Sequence, residues 1–146
     1  MKKRINIEDL RQIRLSLYGS KLSREAKRAK YMQYLSALRK LAYNGNPEAQ
    51  YDLAQHYDDI GFWGMPNPYH NINNKFYWYT KAANNNHAAA NNSLADMYER
   101  GEGCTQSIKK ALELYKKCAS LGDSLGKKNY KLLLKQIKSG MYSIES

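Results

Sequence analysis

The chain has 146 residues, enough for one domain with a real core and too few for two comfortable ones. Its hydrophobic content of 42 % supports folding, while a mean hydropathy of −0.78 and the lack of any long apolar run argue against a membrane-spanning helix. The formal charge of +11 suggests nucleic acid until it is divided along the chain. Residues 1–40 carry 12 basic and 3 acidic groups, residues 41–104 carry 3 and 7, and residues 105–146 carry 9 and 3. Basic ends flank an acidic middle, a field that can orient a partner or keep a small protein in solution.

"MKKRINIEDL" begins with basic residues but has no apolar run or small-residue cleavage site, so secretion by a signal peptide is not expected. Two cysteines, Cys104 and Cys118, allow at most one bridge, and no CxxC or Cys/His cluster points to zinc. A soluble, cytoplasmic protein without cofactor or metal is the expectation. Tyrosine, with 13 copies against 2 Phe and 2 Trp, accompanies many asparagines. The pair suits a wet recognition surface, or reflects a genome rich in Lys, Asn, Tyr and Ile codons.

In chain order, Asn6 with Asp9 three positions on can cap a helix from Ile7 to Tyr18, stopped by Gly19. Residues 24–43 form a second helix with Leu35, Leu38 and Ala42 on its apolar face. Asn46 as N-cap and Pro47 at the first helical position start a third, to about Asp59, with Ala49, Leu53 and Tyr57 on one face. The Gly/Pro-rich stretch 61–71, "GFWGMPNPYHN", interrupts the pattern, and "FYWYTKAA" restores a helix after it. Helix 88–100 ends in glycine at "ERGEG", Ser107 caps a helix to about Leu121, and Ser124–Lys138 closes the chain. That last helix carries Lys128, Lys131, Lys135 and Lys138 on one stripe and Tyr130, Leu133, Leu134 and Ile137 on another.

The elements repeat. Ala49, Leu53, Ala54 and Tyr57 recur as Ala90, Leu94, Ala95 and Tyr98, and Tyr79, Lys81 and Ala83 recur as Tyr115, Lys117 and Ala119. One helix pair cannot bury both of its apolar faces, so pairs stack and each covers the next. The residues Ala90, Leu94, Tyr98, Gly101, Gly103, Lys110, Ala111, Tyr115, Lys117, Ala119 and Gly122 resemble, position by position, the Sel-one-like repeat, a relative of the tetratricopeptide repeat. Ala95, Cys104, Ser107 and Leu114 depart from its usual Gly, Val, Asp and Trp. The resemblance is strong over residues 47–122 and implies an all-α, right-handed α-α superhelix (solenoid) of about seven helices in a single domain. Residues 1–46 would be a degenerate first pair, 47–86 a repeat with an insertion, 87–122 a repeat, and 123–146 a capping helix and tail. Some secreted relatives pair cysteines between helices. Here Cys118 is one position off and Cys104 stands where Val packs, so free thiols are expected.

Catalysis has no support in spacing: His56, His70 and His87 fall in no Ser/His/Asp or Cys/His arrangement, and Asp58 and Asp59 are adjacent and diverge. The expectation is not an enzyme but a protein-protein interaction module, which is what the resemblance implies. If the first helix of each pair lines the inner curve, Asp52, Gln55, His56 and Asp59 form one ridge and Ser93, Asp96, Met97 and Arg100 the next, either a partner groove or a solvated face. In the insertion, Phe62, Trp63 and Tyr69 are residue types expected of an interface hot spot, or plug a gap between helices. Short relatives resemble adaptors or scaffolds, and others toxin-immunity proteins. The competing reading is nucleic-acid binding through the basic ends, around Lys21, Arg24, Lys27, Arg28 and Lys30. A monomer and a homodimer through the last helix both stay open. Leu132 and Leu133 both fall on its inner-ridge register, so the helix rotates to bury them or something covers them.

Overall fold

The structure is a computed structural model that describes residues 5–58, 61–62, 65–66 and 68–144, with the backbone alone at 61, 62, 65 and 66. Its elements are α1 (Ile7–Tyr18), α2 (Arg24–Tyr43), α3 (Pro47–Asp58), β1 (Gly61–Phe62), β2 (Met65–Pro66), α4 (Ile72–Asn84), α5 (Ala88–Arg100), α6 (Ile108–Ser120) and α7 (Ser124–Lys138). β1 and β2 make a minimal antiparallel pairing inside the insertion, Gly61 opposite Pro66 and Phe62 opposite Met65. Otherwise each helix packs mainly against its neighbour in sequence, and α5 also touches α7. Among the described residues, seven helices stacked by local contacts make an α-α solenoid.

Cap chemistry sets the helix starts. The Asn6 side chain accepts from the Asp9 amide at 2.8 Å while Asp9 accepts from the Asn6 amide, a complete capping box. Ser23, Asn46, Asn71, Ser107 and Asp123 each accept from the amide three residues on. Gly101 ends α5 at φ +68, the left-handed conformation that favours glycine. Gly103, at φ +71, is crowded as well: a Cβ there would lie 3.2 Å from the Ile72 carbonyl oxygen.

The repeated small and large residues fill the layers. Ala49, Ala54, Ala90 and Ala95 are fully buried and let helices approach closely, and Leu53 and Leu94 fill between them. One cluster runs from Leu10 and Leu17 through Leu35, Leu38, Trp78 and Tyr79 to Met97. A second joins Ala95, Ile108, Ala111, Tyr115 and Leu133. Gly126 brings α7 onto α6, since a Cβ on it would fall 2.7 Å from the Cys118 Cβ. Cys118 is buried there, its thiol pushed up to about 11 chiefly by burial, and both cysteines are free.

Candidate functional site

The first helices of the pairs, α3, α5 and α7, share a face, and the groove along it is the candidate site. Two adjoining depressions of about 370 and 220 Å³ meet at Asp96 and Asn129, which line both. The first reaches from Asp58 on α3, over Lys75 and Tyr79 on α4, to Arg100 and Glu102. The second runs between α5 and α7, over Glu99 and Tyr115 to Leu132 and Gln136.

Lys75 forms the floor. Its side chain is 9 % exposed, and Nζ donates to Glu102 Oε1 at 2.8 Å and pairs with Asp58 Oδ1 at 2.6 Å. Burial alone would lower its pKa, but the hydrogen bonds to Asp58 and Glu102 outweigh it and hold the ammonium above its usual range. The same contact holds the Glu102 carboxyl below its ordinary range. On the rim, Arg100 pairs with Asp96 one turn back and reaches Glu102 at 3.8 Å. Glu99 accepts from the Tyr115 hydroxyl at 3.0 Å, and burial together with that carboxylate pushes the phenol well up.

The ridge residues expected from the sequence divide by environment. Gln55 is half-buried, its amide donating to the Tyr51 hydroxyl at 3.1 Å. Asp96 and Arg100 face the groove. Asp52, at 4 % exposure, does not: α1 lies over it, and Arg11 donates Nε and Nη2 to its carboxylate at 2.8 and 2.9 Å and Nη2 to Glu48 at 2.8 Å. That clamp raises the Arg11 pKa further, the Asp52 hydrogen bond first among its causes. His56, also 4 % exposed, lies under α2, with the Tyr31 hydroxyl 2.7 Å from Nδ1. Burial and, behind it, the charge of Arg39 depress its pKa to about 4. Met97 is a core residue at 1 % exposure, packed beneath the turn that Gly103 closes. For Asp52 and His56 the covering elements correct the expectation of an open ridge, while Met97 still lines the first depression from below.

In the insertion, Tyr69 tucks inward: its hydroxyl donates to Met32 Sδ at 3.4 Å and its ring centroid is 5.2 Å from that of His56. Phe62 stands in β1, described by its backbone alone, and Asp59 and Trp63 lie outside the described residues. The inner-ridge leucines separate, Leu133 buried at 1 % and Leu132 open at 50 %. Lys75 and Glu102 were missed by the ridge reading. A signal for Lys75 exists, since it stands 36 positions before the fully buried Ala111, a lysine where the repeat places a small residue.

A larger depression, about 500 Å³, has Met32, Leu35, Arg39, Lys40 and Tyr43 in its lining. Its lining, among the described residues, belongs to α2 and its cap Asn44. Among the described residues, no group of His, Cys, Asp or Glu could hold a metal ion, and no helix is long and apolar enough to cross a membrane.

Stacked helix pairs with a groove along their inner face define a helical-repeat solenoid. The Sel1 repeat matches at residues 47–68, 71–87 and 88–123, and the chain belongs to that family. A comparison with curated proteins finds no match. Among solved structures, the chain is similar to a Sel1 repeat protein from Oxalobacter formigenes, with 27 % identity, TM-score 0.64 and 84 % of each chain covered. It also shares its fold with c5321, a protective antigen of uropathogenic Escherichia coli strains displaying an SLR fold. There the identity is 23 % and the TM-score 0.59, over 84 % of this chain and 27 % of that one. Sel1 repeat proteins generally mediate protein-protein interactions and are typically non-catalytic scaffolds.

Proposed function

We propose that the chain is an adaptor that seats a protein partner in the groove between α5 and α7. The observation that carries this reading is Leu132, half-exposed in the same depression as Asp96, Glu99 and Gln136. Set in a concave site between polar groups, it offers a partner an apolar point of contact. Asp96 and Arg100 from the sequence-level ridge belong to this contact, with Gln55 at its margin. Asp52, His56 and Met97 act behind it as support. A toxin-immunity protein would use the same surface to occlude its partner, and the cytoplasm suits either role with both cysteines free.

The segregated charge favours a second reading, nucleic acid held by the exposed Lys21, Arg24, Arg28 and Lys30 at the start of α2. The two separate in a nuclease-treated affinity capture from the source lysate with wild type, Leu132→Ser and a variant neutralised at those four residues. Groove binding expects a specific protein lost from Leu132→Ser and retained by the neutralised variant. Loss only on neutralisation, with recovery of nucleic acid that falls steeply as salt rises, would replace the protein-binding reading.

A further inference from the structure

The groove is acidic in a basic chain. Among the described lining residues, Asp58, Asp96, Glu99 and Glu102 face Lys75 and Arg100, leaving two negative charges in surplus on a molecule whose overall charge is +11. Lys75 is committed to the floor between Asp58 and Glu102. The rim is held more loosely. Asp96 is held by Arg100 of its own helix, a side chain 62 % exposed, and exposed pairs of this spacing are weak because solvent screens them. Glu99 is matched by a neutral hydroxyl alone among the described contacts. Both carboxylates can therefore take a cation from outside at little cost.

One pair earlier the chain already seats a cation on a carboxylate pair of a first helix. On α3, at positions the repeat maps to Ala89 and Ser93, a guanidinium from another element, Arg11 of α1, bridges Glu48 and Asp52. On α5, Asp96 and Glu99 receive no cation from another helix among the described residues. Beside them stands Leu132, so the open rung offers two carboxylates and an aliphatic surface together.

The geometry points to a basic, aliphatic-bearing peptide segment as the occupant of this groove, an arginine or lysine seated at Asp96 and Glu99 with a neighbouring leucine-like side chain on Leu132. It rests on the protein-binding reading and names the chemistry of the partner. An acidic segment would meet surplus carboxylates, and a purely basic one would leave Leu132 wet.

Fluorescence anisotropy of the full chain with three labelled octapeptides tests this: alternating Arg and Leu, alternating Glu and Leu, and alternating Arg and Ser. The Arg/Leu probe is expected to bind wild type at least about tenfold more tightly than either other probe. It should lose about tenfold, or 1.4 kcal/mol, in the doubly neutralised Asp96→Asn, Glu99→Gln chain, and a similar factor in Leu132→Ser. The substituted groups are on the rim, and circular dichroism checks that each variant is folded; Asp96→Lys provides a second, charge-reversing route to the same loss. No binding of the Arg/Leu probe, equal binding to the variants, or equal binding of the Glu/Leu probe overturns the proposal. Should the probe fail while a native protein still crosslinks at position 132, the basic chemistry falls and the protein-binding reading stands. If both fail, both fall.

Discussion

Replacing Lys75 by methionine separates the ion pairs on the groove floor from the packing of the lysine stem, which methionine largely reproduces. A hydrogen bond to a charged partner contributes about 1.5–3 kcal/mol where water is excluded. Glu102, 27 % exposed, merits the lower end of that range, about 1.5 kcal/mol. Asp58 is 43 % exposed, and solvent reduces its arm to the value of a surface pair, about 0.5 kcal/mol. The sum, about 2 kcal/mol, lowers the melting temperature of a chain this size by roughly 6–8 °C. The pH dependence has a definite sign. Glu102 is held below its unfolded pKa, so its contribution is present above that value and is lost as pH falls through the depressed one. Lys75 is held above its unfolded pKa, so its contribution is present below that value and is lost as pH rises through the raised one. Thermal unfolding followed by circular dichroism should therefore show wild type and Lys75→Met well apart near neutrality and converging in acid and in strong base. A melting shift below about 2 °C, or a gap that ignores pH, would refute this account of the floor.

Three further substitutions probe the frame that holds the groove. Arg11→Met leaves the Asp52 carboxylate without its guanidinium and should cost about 2–3 kcal/mol in urea unfolding, while adding Asp52→Leu should recover most of it; no recovery in the double variant would deny the clamp. Gly126→Ala puts a methyl against Cys118 and should destabilise by about 1–3 kcal/mol, although alanine is the better helix former; a neutral or stabilising result would contradict the close α6–α7 approach. His56 binds a proton in the unfolded chain near the ordinary histidine value of 6.5 but in the folded chain only near 4, so stability should decline as pH falls through that window, by up to about 3 kcal/mol. Urea midpoints measured across that range should flatten in His56→Gln, and an unchanged slope would show that another group titrates there.

Local chemistry made the scaffold legible. Asn6 with Asp9, Ser107, and Gly101 in its left-handed turn all act within three or four residues, so their roles can be read without knowing what packs on them. Periodicity likewise places Leu53, Leu94 and Tyr115 toward the core, where they are. It fails where a distant element decides exposure. Asp52 and His56 sit on the side of α3 that a lone helix would show to water, and only the docking of Arg11 from α1 and Tyr31 from α2 buries them. Met97 is covered by the tight Gly103 turn against Ile72, a contact set by the return of the chain from the insertion. Leu132 and Leu133 are adjacent and equivalent in hydropathy. Only the rotation of α7 chooses Leu133 for the core and leaves Leu132 in the groove.

Site-specific photocrosslinking tests the groove most directly. A photoreactive phenylalanine analogue is placed at Leu132 in one chain, and at Tyr43 or Tyr77, exposed on α2 and α4, in two others. Each is irradiated in nuclease-treated source lysate. A partner seated between α5 and α7 gives one protein adduct at position 132, absent at 43 and 77 and suppressed when Asp96 and Glu99 are neutralised in the same chain. Adducts at 43 or 77 but none at 132 would place the binding surface elsewhere and contradict the groove as the functional site.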